Sequence, residues 1–150
     1  MFLNHFEITV APGTLEDDWC RALDQLLVDI LGWGAGETKR FPHQVTGEPV
    51  VARFYQINED QFAVLNEHHH HQSPGHDDHV GFFVESRQAL QDILARIKVL
   101  AARDDRVHFM NLPDGELSTM TEGDVVTGGF YVKYLLPIHL DFQTRWKASA

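Results

Sequence analysis

The sequence of 150 residues has a single cysteine, Cys20, which permits no internal disulfide and agrees with a reducing compartment. No apolar run approaches the roughly 18 to 20 residues needed to span a bilayer. The opening Met1-Phe2-Leu3-Asn4-His5 lacks the basic region that begins a secretory signal. The expected location is therefore cytoplasmic. Positive charge is also scarce: 12 Lys and Arg stand against 22 Asp and Glu, a formal net charge of −10. Such a surface repels phosphate backbones and anionic membranes, so neither nucleic acid nor membrane is an expected partner. There is no phosphate loop, dinucleotide fingerprint or nucleophile elbow. What remains is ordinary globular composition, 43% hydrophobic and 23% charged, in a chain long enough to close one core.

The order of predicted elements repeats. Residues Leu3 to Val10 read as a strand, and Pro12-Gly13 breaks the chain. Thr14 is the expected N-cap, with Asp17 in the capping-box position. Leu15, Trp19, Ala22, Leu23, Leu26, Leu27, Ile30 and Leu31 follow at helical spacing, and Gly32 is the expected stop. Strands are expected at about 37–45, 49–57 and 61–68, separated by turns at Gly47-Glu48-Pro49 and Asn58-Glu59-Asp60. The pattern then restarts. His79 to Glu85 reads as a strand, Ser86 can cap a second helix, and Leu90, Ile93, Leu94, Ile97, Leu100 and Ala101 are helically spaced. Strands follow at about 106–111, 125–135 and 137–146, with a turn at Pro113-Asp114-Gly115. Each half reads strand, helix, three strands, and each half checks the other. The loop between them, Glu67 to Asp78, is polar, contains Ser73-Pro74-Gly75, and carries His68, His69, His70, His71 and His76.

His5 and His79 occupy the same place in the repeat, at the start of each half's first strand, in Leu3-Asn4-His5-Phe6-Glu7-Ile8 and Asp77-Asp78-His79-Val80-Gly81-Phe82. Paired βαβββ halves with histidines so placed resemble the vicinal oxygen chelate superfamily, which includes glyoxalase I, extradiol dioxygenases and bleomycin-resistance proteins. The resemblance runs from about Leu3 to Trp146. It implies an α+β fold in which two βαβββ modules form a curved mixed-sheet cup around a divalent metal. The chain would then be one domain, 1–150, with modules at about 1–68 and 77–147 joined by the histidine-rich loop.

The glyoxalase I pattern takes a histidine and a carboxylate from each half. By that resemblance the metal ligands are His5, His79 and, in the last strand, Asp141 of Ile138-His139-Leu140-Asp141-Phe142. Aspartate there departs from the usual glutamate. The first half's carboxylate slot falls near Val64, which binds no metal, so glyoxalase I ligation is incomplete. The extradiol dioxygenase pattern fits less well, because Val125 to Leu135 contains no histidine.

Two histidines and one carboxylate form a set with open positions, suited to iron(II), manganese, nickel or zinc. Such a metal would stabilise a developing enolate or catecholate oxygen. Strand alternation puts His139, Asp141 and Gln143 on one face and Ile138, Leu140 and Phe142 on the other, and it groups His5 with Glu7 and Thr9. Glu7 and His139 are thus candidate catalytic residues, as general base or outer-shell partner. Glu7 could instead pair with Arg53 or Lys133, and His139 could be structural. Tyr55, Tyr131, Phe62 and Phe83 are candidates for an apolar ligand wall or for core. The run His68–His71 can capture nickel or zinc adventitiously, and Cys20 beside Trp19 is expected to be a buried, inert thiol.

Two functions follow. One is a metal-dependent enzyme of lyase, isomerase or dioxygenase type, acting on a small substrate with adjacent oxygens. The other is a metal-free protein of the bleomycin-resistance type that binds a drug or similar ligand, for which the acidic surface suits a cationic aromatic molecule. Either would be expected as a homodimer.

Overall fold

The computed structural model describes residues 4–43, 45–71, 75 and 78–148. Leu3, Gln44, the Ser73-Pro74 pair, His76 and Asp77 lie outside the described residues. The chain divides into two compact units, Met1–Ser73 and Pro74–Ala150, with the boundary inside the histidine-rich loop.

The first unit opens with strand β1 (His5–Val10), followed by helix α1 (Asp17–Asp24), which continues as π-helical turns over Gln25–Ile30. Strands β2 (Glu37–Pro42), β3 (Pro49–Gln56) and β4 (Phe62–Glu67) follow. The sheet order is β1-β4-β3-β2, with β1 parallel to β4 and the other pairs antiparallel. Ile8, Val10, Ala63, Leu65 and Tyr55 are buried on one side of the sheet, and Cys20, Leu23, Leu26 and Leu27 are buried on the helical stretch. Hydrogen bonds from Arg53 and Tyr55 to Asp24 tie β3 to the end of α1.

Two local expectations are corrected here. Thr14 does not cap α1; the cap position is Glu16, and its side chain makes no capping bond. The Leu15 amide, ahead of the cap position, donates to Glu67 Oε1 at 2.6 Å. The second correction is that β2 ends at Pro42 rather than near residue 45. Proline lacks the ladder N–H, and the chain turns at once, with the His43 amide bonded to the Glu48 carbonyl at 2.7 Å. Gly32 does end the helical stretch, at φ 75°, a conformation costly for other residues.

The second unit runs β5 (His79–Phe83), α2 (Arg87–Ala101), β6 (His108–Met110), a 3-10 turn at Pro113–Gly115, β7 (Ser118–Glu122), β8 (Val125–Lys133) and β9 (His139–Lys147). Sheet order is β5-β9-β8-β6, with β7 also paired to β8. β7 was not expected from the sequence. Its place is instructive, because β6 pairs with 131–133 of β8 and β7 with 125–129. The two short strands therefore continue one another along one edge of β8. The excursion between them uses left-handed backbone at Asn111 (φ 57°) and Asp114 (φ 50°). The second unit is thus also strand, helix, three strands, with the strand after the helix interrupted.

Ser86 caps α2 as expected, accepting from the Ala89 amide at 3.1 Å. Leu90, Leu94, Ile97 and Leu100 bury the inner face of that helix. Ser86→Ala is expected to cost about 1 kcal/mol in urea unfolding; an unchanged midpoint would show that the cap contributes nothing.

Candidate functional site

Parallel pairing of β5 with β9 sets His79 opposite His139 and Gly81 opposite Asp141. Antiparallel pairing of β8 with β9 sets Tyr131 on the other side of Asp141. Alternation then brings His79, Asp141, Gln143 and Tyr131 to one face of the second sheet. The structure joins two of the three residues expected as ligands: His79 Nε2 lies 3.8 Å from Asp141 Oδ2. Asp141 is only 2% exposed. Its Oδ2 accepts from Gln143 Nε2 at 2.5 Å, whereas its Oδ1 is buried without a hydrogen-bond partner.

That environment pulls the Asp141 carboxyl in two directions. Burial raises its pKa above the ordinary aspartate value and prevails; the Gln143 hydrogen bond, the neighbouring His79 and the Tyr131 hydroxyl oppose it. The His79 ring meets Tyr131 edge-on, with centroids 5.3 Å apart.

A pocket of about 280 Å³ opens beside the carboxylate. Asn111, Ser118, Thr127, Tyr131 and Gln143 bring amide and hydroxyl groups to it, together with Met120. Asn111 and Ser118 went unrecognised in the sequence because Ser118 belongs to the unexpected β7 and Asn111 to the excursion before it; Thr127, on β8, was not singled out either. Thr127, Gly129 and Tyr131 do show the two-residue period that would have marked them. Gly129 is needed as glycine, because a Cβ there would sit 2.6 Å from the Phe142 carbonyl oxygen and 3.0 Å from Gln143 Cγ.

The other expected residues are placed as follows. His5 is exposed at the start of β1 in the first unit, stacked on Phe62 at 4.9 Å and bonded to Asn4. Glu7 is exposed on the same face and accepts from Asn66 Nδ2 at 2.9 Å. It does not pair with Arg53, whose guanidinium is taken by Asp24. Val64 is the partner of Glu7 across the β1–β4 pair. His139 is buried at 8% exposure. Among the described residues no group of three or more His, Cys, Asp or Glu is placed to hold a metal.

Of the proposed aromatic wall, only Tyr131 lines the pocket beside Asp141. Tyr55 is fully buried and bonded to Asp24, and Phe83 is 71% exposed. The histidine run stands near a second pocket with His43, Glu48 and Glu67. There the His70 amide donates to His68 Nδ1 at 3.0 Å, and an imidazole that accepts at Nδ1 carries its proton on Nε2. Cys20 is buried, and that burial raises its pKa, as expected of an inert thiol.

No sequence family matches the chain, and no curated protein sequence does. Solved structures do match along nearly its whole length. A glyoxylase/bleomycin resistance protein/dioxygenase domain from Frankia sp. is 19% identical, with TM-score 0.54 over 96% of this chain and 97% of that one. A glyoxalase/bleomycin resistance protein from Albidiferax ferrireducens is 11% identical, with TM-score 0.57 over 95% and 97%. The fosfomycin resistance protein FosX from Listeria monocytogenes, solved as a mutant with Mn(II) and 1S,2S-dihydroxypropylphosphonic acid, is 14% identical, with TM-score 0.56 over 99% and 93%. At these identities the likeness is one of fold. The chain has the α+β glyoxalase/bleomycin resistance fold, and no helix among the described residues is long and apolar enough to cross a membrane.

Proposed function

We propose that the protein is a metal-dependent enzyme of the vicinal oxygen chelate type, acting on a small substrate with adjacent oxygens, and that His79 and Asp141 are metal ligands. The observation that carries this reading is the buried, unpartnered Oδ1 of Asp141 beside an imidazole. An ionised carboxylate so buried is costly unless a cation or further donors compensate it. Imidazole and carboxylate together suit iron(II), manganese, nickel or zinc.

Such a metal, when bound, would supply Lewis-acid stabilisation of negative charge developing on a substrate oxygen. The protein's own groups do the rest. Gln143 holds Oδ2 and so directs Oδ1. Asn111, Ser118, Thr127 and Tyr131 offer hydrogen bonds to a hydroxylated substrate. Glu7 and His139 remain the candidates for moving a proton. FosX, which shares the fold, holds Mn(II) with a ligand bearing adjacent hydroxyls. The metal-free drug-binding alternative draws less support from a pocket in which Tyr131 is the sole aromatic.

The test is anaerobic reconstitution followed by elemental analysis, with His68–His71 changed to Gln to remove adventitious capture. One metal per chain is expected, lost in His79→Ala and Asp141→Ala. Equal loss in His5→Ala would identify the third ligand. A reconstituted protein that stays metal-free would sink the proposal.

A further inference from the structure

Within the first unit, backbone amides after β2 and after β4 are held by imidazole nitrogens rather than by carbonyl or carboxylate oxygens. After β2, His43 Nδ1 accepts from the Thr46 amide at 3.2 Å and from the Val45 amide at 3.4 Å, and the Thr46 hydroxyl lies 3.2 Å away as a further donor. Thr46 Oγ1 in turn accepts from the Glu48 amide at 3.3 Å. After β4, His68 Nδ1 accepts from the His70 amide at 3.0 Å. The two rings are half-buried, with centroids 6.3 Å apart. Together with Thr46, Glu48, Glu67 and His69 they border one pocket of about 270 Å³.

We propose that His43 and His68 form a proton-sensitive latch, which holds the two walls of this pocket while the rings are neutral and releases them when the rings are protonated. An imidazole accepts only through a bare nitrogen, and the doubly protonated ring is a donor at both positions. Protonation of His43 therefore abandons the amides of Val45 and Thr46, and protonation of His68 abandons the amide of His70. Two cationic rings at this separation also repel each other. The carboxylates bordering the pocket, Glu48 and Glu67, attract the protonated rings and so aid release, although Glu67 Oε1 is already engaged by the Leu15 amide. The neighbouring His69 and His70, once protonated, oppose it, as does Arg40 on β2, which faces Val51 of the pocket wall across the β2–β3 pair. Release is confined to the tips. The His43 amide bond to the Glu48 carbonyl (2.7 Å), the Gly47 amide bond to the His43 carbonyl (2.9 Å) and the His68 amide bond to the Val10 carbonyl (2.9 Å) involve no ring nitrogen and persist. Histidine is the side chain that ordinarily changes charge between pH 5 and 8, which sets the range to search.

The experiment is amide exchange with solvent, read by NMR on the full chain near the two ends of that range. Chelator is present, so that no metal occupies the histidine run, and each rate is expressed as protection relative to an unstructured amide at the same pH. Protection at Thr46 and His70 is expected to fall roughly two- to tenfold in acid, the loss of one hydrogen bond of ordinary net strength, while the strand amides of Ala52 and Leu65 hold. Asparagine places an oxygen that does not titrate where Nδ1 stands. His43→Asn should therefore keep Thr46 protected in acid while His70 still loosens, and His68→Asn should do the converse. Equal protection at both ends of the range in the natural sequence overturns the proposal. So does acid loosening of Thr46 in His43→Asn and of His70 in His68→Asn, which would place the titrating group elsewhere. If asparagine fails to hold the amides even at the neutral end, the alanine variants decide. Protection in His43→Ala and His68→Ala as low at both ends as in the acidified natural protein supports the latch, and protection still lost only in acid refutes it.

Discussion

Asp141→Asn is expected to melt at an equal or higher temperature than the natural sequence in chelator, and at a lower one when divalent metal is in excess. The first half follows from burial. Asp141 is 2% exposed with one oxygen unpartnered, and its pKa is raised chiefly by desolvation. A raised carboxyl pKa means that the folded state binds more protons than the unfolded chain between about 3.9 and the folded value. Stability therefore falls as pH rises through that window, and the penalty is complete above it. Asparagine keeps the shape and an acceptor for Gln143 but removes the charge. The advantage of the variant should vanish below about pH 4 and grow as pH rises through the raised folded value. The second half follows from linkage. Metal at 100 times its dissociation constant adds about 2.7 kcal/mol to the folded state that binds it, and the variant forgoes that gain. Calorimetry with chelator and with Mn(II), at pH 4 and pH 7, reads both halves. If the two proteins keep the same ranking in both media, Asp141 is no ligand.

That the sequence set Asp141 near His79, but not the other groups around it, is a matter of range. His79 and Asp141 lie in strands marked by alternation and by the turn residues around them, and the repeat set them in register. That the two come together is what the resemblance implied, since its ligands come from the first and last strands of each half. β7 escaped because Ser118–Glu122 is polar apart from Met120, and it lies beyond an excursion whose turn at Pro113-Asp114-Gly115 was expected but whose left-handed Asn111 no pattern announces. With β7 went Ser118 and the position of Asn111 beside the carboxylate. The capping of α1 failed for a related reason. Thr14 had the right chemistry locally, but the helix begins after Glu16, and the Leu15 amide ahead of it is held by Glu67, 52 residues away. Local signals placed the elements, while contacts between distant residues decided which side chains completed them.

Asp24→Ala is expected to destabilise the first unit markedly. Asp24 gathers two groups buried under α1. Arg53 Nη2 donates to Oδ2 at 2.8 Å and Oδ1 at 3.1 Å, and the Tyr55 hydroxyl donates to Oδ1 at 2.7 Å. Arg53 Nε in turn donates to the Tyr55 oxygen at 2.7 Å. The Arg53 side chain is 12% exposed and Tyr55 is fully buried, and burial first, then the bond to Asp24, raises the pKa of the Tyr55 phenol. Gly36 leaves room for this packing, since a Cβ there would lie 2.7 Å from the Tyr55 ring. Removing one member of a buried pair costs about 3–5 kcal/mol. The Asp24 side chain is 30% exposed, so water can reach the abandoned guanidinium, and about 2–3 kcal/mol is the expected loss. For a chain of this size that is a fall of roughly 5–10 °C in melting temperature. Asp24→Asn retains an acceptor for Tyr55 and should lose less. Arg53→Met added to Asp24→Ala should recover part of the stability, because no unpaired charge is then buried. Urea unfolding of the three variants measures this. A loss below 1 kcal/mol in Asp24→Ala, or no recovery in the double variant, would show that the cation was never dependent on Asp24.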